Sequence, residues 1–169
     1  CINNDISDYQ SFYNLLYCYD QLKEYENSVN LLNNILEQNP YNEIAWFELG
    51  KQYLKLNKNK EAIAALDFAV ISEEKFVGAY IEKGKILEKM GKLSEAIENF
   101  EISLQFEDPS SFIFSKIGQC HQKLKNHHIA AKFYKKSIAL DPSNIDAWNK
   151  IIDFYIEINR YKKAIYYLE

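Results

Sequence analysis

Chemistry in this chain would have to come from a few side chains. His121, His127 and His128 lie close together, and imidazoles so placed can ligate a metal. The cysteines are Cys1, Cys18 and Cys120, an odd number with no framework spacing, which argues against a disulfide scaffold. The carboxylates mostly stand three or four residues from lysines, as in Glu48/Lys51 and Glu82/Lys85. That spacing supports a helix surface and does not suggest a catalytic pair. No Gly-x-Ser-x-Gly elbow and no His-Glu-x-x-His pair occurs. The five glycines, Gly50, Gly78, Gly84, Gly91 and Gly118, form no phosphate loop. Catalytic residues, metal ligands and cofactors are therefore not expected.

The elements that carry these residues repeat. Between Glu43 and Glu74 stand Trp46, Leu49, Gly50, Tyr53, Ala62, Leu66 and Ala69. Stepping by 34 residues from Trp46 gives Tyr80, Phe114 and Trp148, and stepping back gives Phe12. Four residues on, the small position reads Leu16, Gly50, Gly84, Gly118 and Ile152. A second small position reads Ser28, Ala62, Ala96, Ala130 and Ala164. It is followed by Leu32, Leu66, Phe100, Tyr134 and Leu168. Three- and four-residue spacings set these side chains on one face of each of two helices. Two antiparallel helices approach closely where both are small, and the aromatic residues fill the volume around the crossing. One such pair cannot bury its apolar face alone, so pairs must stack.

The pattern Trp46-x-x-Leu49-Gly50-x-x-Tyr53 followed by Ala62-x-x-x-Leu66 resembles the tetratricopeptide repeat. The resemblance implies an all-α, right-handed superhelical solenoid of antiparallel helix pairs, about five units over residues 1–169. The units are expected at about 9–42, 43–76, 77–110, 111–144 and 145–169, the last truncated. Residues 1–8 read as the end of a preceding unit or a linker, with Cys1 and Ile2 on its small-then-apolar pair. First helices are expected near 9–22, 43–56, 77–90 and 111–124, and from Ile145. Second helices are expected near 25–38, 59–72, 93–106 and 127–140, and from Tyr161. Gly91 falls at a helix end that suits left-handed backbone. Gly78 has no reason within the repeat. Cys18 and Cys120 share one slot and read as small buried residues. His121 fills a core aromatic slot, His127 the slot of Tyr25 and Tyr161, and His128 the surface.

Composition sets the outer bounds. The chain is 47% hydrophobic and 26% charged, with a formal net charge of −4. Apolar material suffices for a core, and no general attraction to nucleic acid follows. No apolar run approaches the roughly 18 residues that span a bilayer, and no signal pattern opens the chain. A cytoplasmic protein is expected. The start at Cys1 and the stop inside a helix at Glu169 read as a fragment. Tyr161, Ile165 and Leu168 are expected on an under-covered end, open to end-to-end self-association.

The resemblance also assigns a working face. In this family the first helix of each unit lines a concave groove, through slots two, five, six, nine, twelve and thirteen. Here those slots bring Tyr13, Tyr17, Phe47, Ile81 and Phe112 into an apolar and aromatic row. Lys51, Lys55, Lys85, Lys89 and Lys123 form a basic stripe beside it, with Lys116 in the sixth slot of repeat four. Glu48, Glu82 and Glu88 partly neutralise the stripe. Family members that clamp chaperone tails need a Lys and Asn pattern that neither Tyr13, Tyr17 and Glu48 nor Phe47, Lys51 and Glu82 supply. The expected function is a non-catalytic scaffold that binds a peptide or protein segment with apolar anchors and some acidic residues. The alternative is an assembly module or the docking domain of a larger protein.

Overall fold

A computed structural model describes residues 9–169, with side chains from Ser11 onward. The expectations for Cys1, Ile2 and residues 3–8 lie outside the described residues. Ten helices follow one another, and no strand occurs among the described residues. They are α1 (Tyr9–Leu22), α2 (Tyr25–Gln38), α3 (Glu43–Lys55), α4 (Asn59–Ser72) and α5 (Val77–Lys89). Then come α6 (Leu93–Phe106), α7 (Ser111–Lys123), α8 (His127–Leu140), α9 (Ile145–Glu157) and α10 (Tyr161–Tyr166). The chain divides into two compact units, Cys1–Ala79 and Tyr80–Glu169.

Each pair turns through one left-handed residue. Positive φ occurs at Lys23 (59°), Asn57 (58°), Gly91 (78°), Lys125 (60°) and Asn159 (58°). These positions are one repeat apart, so the turn geometry is shared while the residue type is not. Only glycine takes that conformation without steric cost, about 1–2 kcal/mol for other residues. Four of the five turns therefore gave no glycine signal.

The connections between pairs use side chains. Asn42 accepts a hydrogen bond from the Ala45 backbone N–H at 2.9 Å, and Asn144 accepts one from Ala147 at 3.1 Å. Ser110 does the same for Ile113 at 3.2 Å. Each satisfies one of the donors left open at a helix start. The Trp46 indole N–H donates to the Pro40 carbonyl at 2.8 Å, and Trp148 donates to Pro142 at 2.9 Å. The two tryptophans thus follow the two repeats whose proline falls on the same slot, whereas Pro109 stands one residue later and is followed by Phe114.

Close helix crossings rest on the small slot. A Cβ at Gly84 would lie 2.6 Å from the Phe100 ring. At Gly50 it would lie 2.9 Å from Leu66, and at Gly118 2.9 Å from Tyr134. Phe100, Leu66 and Tyr134 are each buried in the space that those glycines leave. Around them the first unit buries Phe12, Leu16, Leu32, Leu36 and Leu49. The second unit buries Tyr134, Ile138, Ile151, Phe154 and Tyr155 in one cluster.

Three details depart from the sequence reading or complete it. Cys120 is fully buried, but Cys18 in the same slot is exposed. The slot faces the second helix of the preceding pair: Phe154 occupies it in repeat five, with its ring 5.6 Å from Tyr134 of α8. No helix precedes α1 among the described residues. Gly78 packs under the Phe47 ring, where a Cβ would stand at 3.4 Å, an ordinary contact. At the other end α10 stops at Tyr166, three residues before Glu169. Tyr161, Ile165 and Leu168 are 57%, 53% and 67% exposed.

Candidate functional site

The faces of the first helices carry every residue of the expected groove. In the first unit, Tyr13 and Tyr17 stand one turn apart on α1 and are 41% and 65% exposed. The Tyr13 ring packs edge-on against core residue Phe12 at 5.2 Å, and the rest of it faces outward. Phe47 on α3 is different. It is half-buried, with its ring edge-on to Phe76 at 5.1 Å and its far side against Gly78. A Cβ at Gly78 would stand at van der Waals contact with that ring, so the ring packs directly over this turn of α5. Lys51 lies 5.4 Å from the centre of the Phe47 ring. Its ammonium donates to Glu48 at 2.8 Å. Lys55 pairs with Asp20 and sits 5.7 Å from the Tyr25 ring.

The second unit repeats this pattern of occupied cations. Ile81 is half-buried. Lys85 donates to Glu82 at 2.7 Å and covers Phe112 at 5.2 Å. Phe112 keeps 42% of its surface exposed. Lys116 and Lys123 both reach Glu88, at 2.9 and 2.7 Å. Lys89 is exposed, and no carboxylate lies within ion-pair distance among the described residues. The basic stripe is therefore mostly a set of internal ion pairs. The sequence showed Glu48, Glu82 and Glu88 beside the lysines but did not show how fully they would be used.

Glu88 was the least legible of these residues. It is only 9% exposed on α5, and it holds two lysines of α7. Burial alone would raise its carboxyl. Hydrogen bonds from Lys116 and Lys123, and their charges, outweigh that and hold it below the usual carboxylate range. Beside it lies a recess of about 340 Å³ lined by Gln119, Gln122, Lys123, Tyr134, Asp153 and Glu157, among others. The Tyr134 hydroxyl donates to Gln122 at 2.5 Å, and the Gln122 amide in turn donates to Glu157. Burial, then the charge of Glu157, raises the Tyr134 phenol well above its ordinary value. The phenol therefore stays a neutral donor that anchors a polar chain.

The remaining reactive groups are quiet. Burial, reinforced by Glu88, pushes the Cys120 thiol up to about 11, so it stays protonated at neutral pH. His121 stacks on Phe133 at 5.9 Å, and burial lowers its pKa. It thus fills the aromatic slot expected of it. His127 is exposed, with its ring 6.1 Å from Phe154, and His128 is exposed. Among the described residues, no group of three or more His, Cys, Asp and Glu side chains is placed to hold an ion. No described helix is long and apolar enough to cross a membrane.

Known proteins share this arrangement. The chain is 26% identical over 160 residues to the BBSome complex member BBS4 homolog of Drosophila melanogaster. That match covers 94% of this chain and 33% of the relative, so the chain spans about a third of that protein's length. The crystal structure of MamA superposes with a TM-score of 0.81 at 20% identity, over 98% of this chain and 92% of that one. The crystal structure of YrrB, described as a TPR protein with an unusual peptide-binding site, gives 0.69 at 18% identity, over 80% and 70%. The tetratricopeptide-repeat family model matches residues 9–42, 77–105 and 113–144, more than half of the chain. With its repeated helix pairs and small-residue crossings, the chain belongs to the tetratricopeptide-repeat family.

Proposed function

We propose that the chain is a non-catalytic interaction scaffold that takes a peptide or protein segment against the exposed faces of its first helices. The observation that carries this reading is the pair Tyr13 and Tyr17, exposed at successive turns of α1. Aromatic side chains left outside a core are the usual anchors of an interface. Phe112 offers a similar anchor on α7, backed by Lys85 and Lys116. Because most lysines of these faces are already paired, apolar anchoring supplies the affinity, and acidic residues in the segment add little. Membership of a repeat family with peptide-binding and complex-forming relatives supports the same reading.

A peptide selected from a random library on the immobilised chain provides the test. Tyr17→Ala combined with Phe47→Ala should weaken it by about ten-fold or more, with helicity unchanged by circular dichroism. Equal affinity for both proteins would end the reading. A second reading, self-association, is favoured by the exposed Tyr161, Ile165 and Leu168. A mass by light scattering that doubles with concentration would support it.

A further inference from the structure

The lysines of α8 are arranged unlike those of the first helices. Helix α8 carries Lys132, Lys135 and Lys136 and no carboxylate, whereas α6 carries Glu95, Glu98 and Glu101 and no lysine. Lys132, Lys135 and Lys136 join Lys163 of α10 around a recess of about 790 Å³. All four are exposed, and none has a carboxylate within ion-pair distance among the described residues. Lys136 lies 5.3 Å from the Phe114 ring and 5.2 Å from the Phe133 ring, and Lys163 lies 5.5 Å from Tyr155. The rings position these ammonium groups without neutralising them. Four uncompensated positive charges thus converge in a chain whose net charge is −4.

We propose that this recess is a docking site for an acidic peptide segment, with Asp or Glu side chains flanking an apolar one. Charge complementarity selects the acidic groups. Ala131 and Ala139 also line the recess and give the apolar side chain a surface to cover, over the buried Tyr155. A membrane is a poorer fit, because insertion needs large exposed apolar side chains, and the exposed apolar lining here is alanine. Nucleic acid is a poorer fit as well, since its binding favours a basic domain with cations tracking a backbone.

The probe is a short synthetic peptide alternating glutamate and leucine, with a glutamine–leucine peptide of equal length as control. Titration into the isotopically labelled chain should shift amide resonances of α8 and α10. The combination of Lys132→Gln, Lys135→Gln and Lys163→Gln should weaken binding by about ten-fold, and raising the salt concentration should do the same. Circular dichroism of that variant should match the parent, and Lys132→Gln alone, with a smaller loss, guards against a fold defect. Equal binding of the glutamine peptide, shifts confined to α1 and α3, or no binding at all would overturn the proposal. So would tighter binding of single-stranded DNA or phosphatidylserine vesicles.

Discussion

Lys116 and Lys123 on α7 end on a buried carboxylate, while Lys132, Lys135 and Lys136 on α8 end in solvent. The two helices are neighbours in sequence and pack against each other. Their difference lies in what faces them. Slots six and thirteen of α7 meet Glu88 of α5, and that carboxylate has no other way to offset its burial. The outer face of α8 meets no acidic helix among the described residues. A lysine count therefore says little about free charge. The free charge is what remains after internal carboxylates have taken their share.

Removing Glu88 should break the comparison most severely. Glu88→Ala removes two charge-assisted hydrogen bonds and leaves two partly exposed lysines without their shared partner, at a cost of about 2 kcal/mol in thermal or denaturant unfolding. The pH dependence follows from the depressed carboxyl. Its unfolded value is the ordinary 4.5, and its folded value is lower. The stability it contributes is complete above about pH 4.5 and is lost as the pH falls through the folded value. Glu88→Gln should remove that part of the acid limb, and an unchanged acid limb would show that the pairs do not matter.

Gly84→Leu comes next. Gly84 stands one helical turn before Glu88, and its Cβ would press on the Phe100 ring. Overpacking of this kind costs about 1–3 kcal/mol and would disturb the seat from which α5 presents Glu88. An unaltered melting temperature would mean that the crossing has room for a side chain.

The smallest effect should be a gain. Lys132 and Lys136 are like charges four residues apart on α8. Lys132→Glu replaces their repulsion with an attractive pair, worth about 0.2–0.5 kcal/mol. The same change should weaken binding of the glutamate–leucine peptide. A stability loss instead would place Lys132 among the structural lysines, beside Lys116.

The periodic slots made the helices legible. Apolar residues at three- and four-residue spacing, with Gly50, Gly84 and Gly118 one repeat apart, define which faces meet. The turns were legible only at Gly91, because Lys23, Asn57, Lys125 and Asn159 adopt the same left-handed backbone without announcing it. The exposure of the candidate residues was read in part. Tyr13, Tyr17 and Phe112 are exposed as expected. Phe47 is half-buried because Phe76 and Gly78 close on it; Gly78 stood out as a glycine the repeat did not explain, but its partner could not be read. Cys18 was assigned to the interior from its slot alone, and a slot is buried only where another helix covers it.

The sequence by itself determined the repeat length, the order of the helices and nearly all of their bounds, the end of α10 excepted, and the small residues at which they cross. These follow from spacing along one chain, which local geometry converts directly into a face. Local spacing already paired Lys51 with Glu48 and Lys85 with Glu82, but tertiary structure alone decided which charges are neutralised across helices, which aromatic rings stay open and which slots are covered. Those outcomes depend on distances between residues about 30 apart, such as Glu88 to Lys116 and Lys123. No local pattern encodes such a distance, because it exists only once two helices have packed.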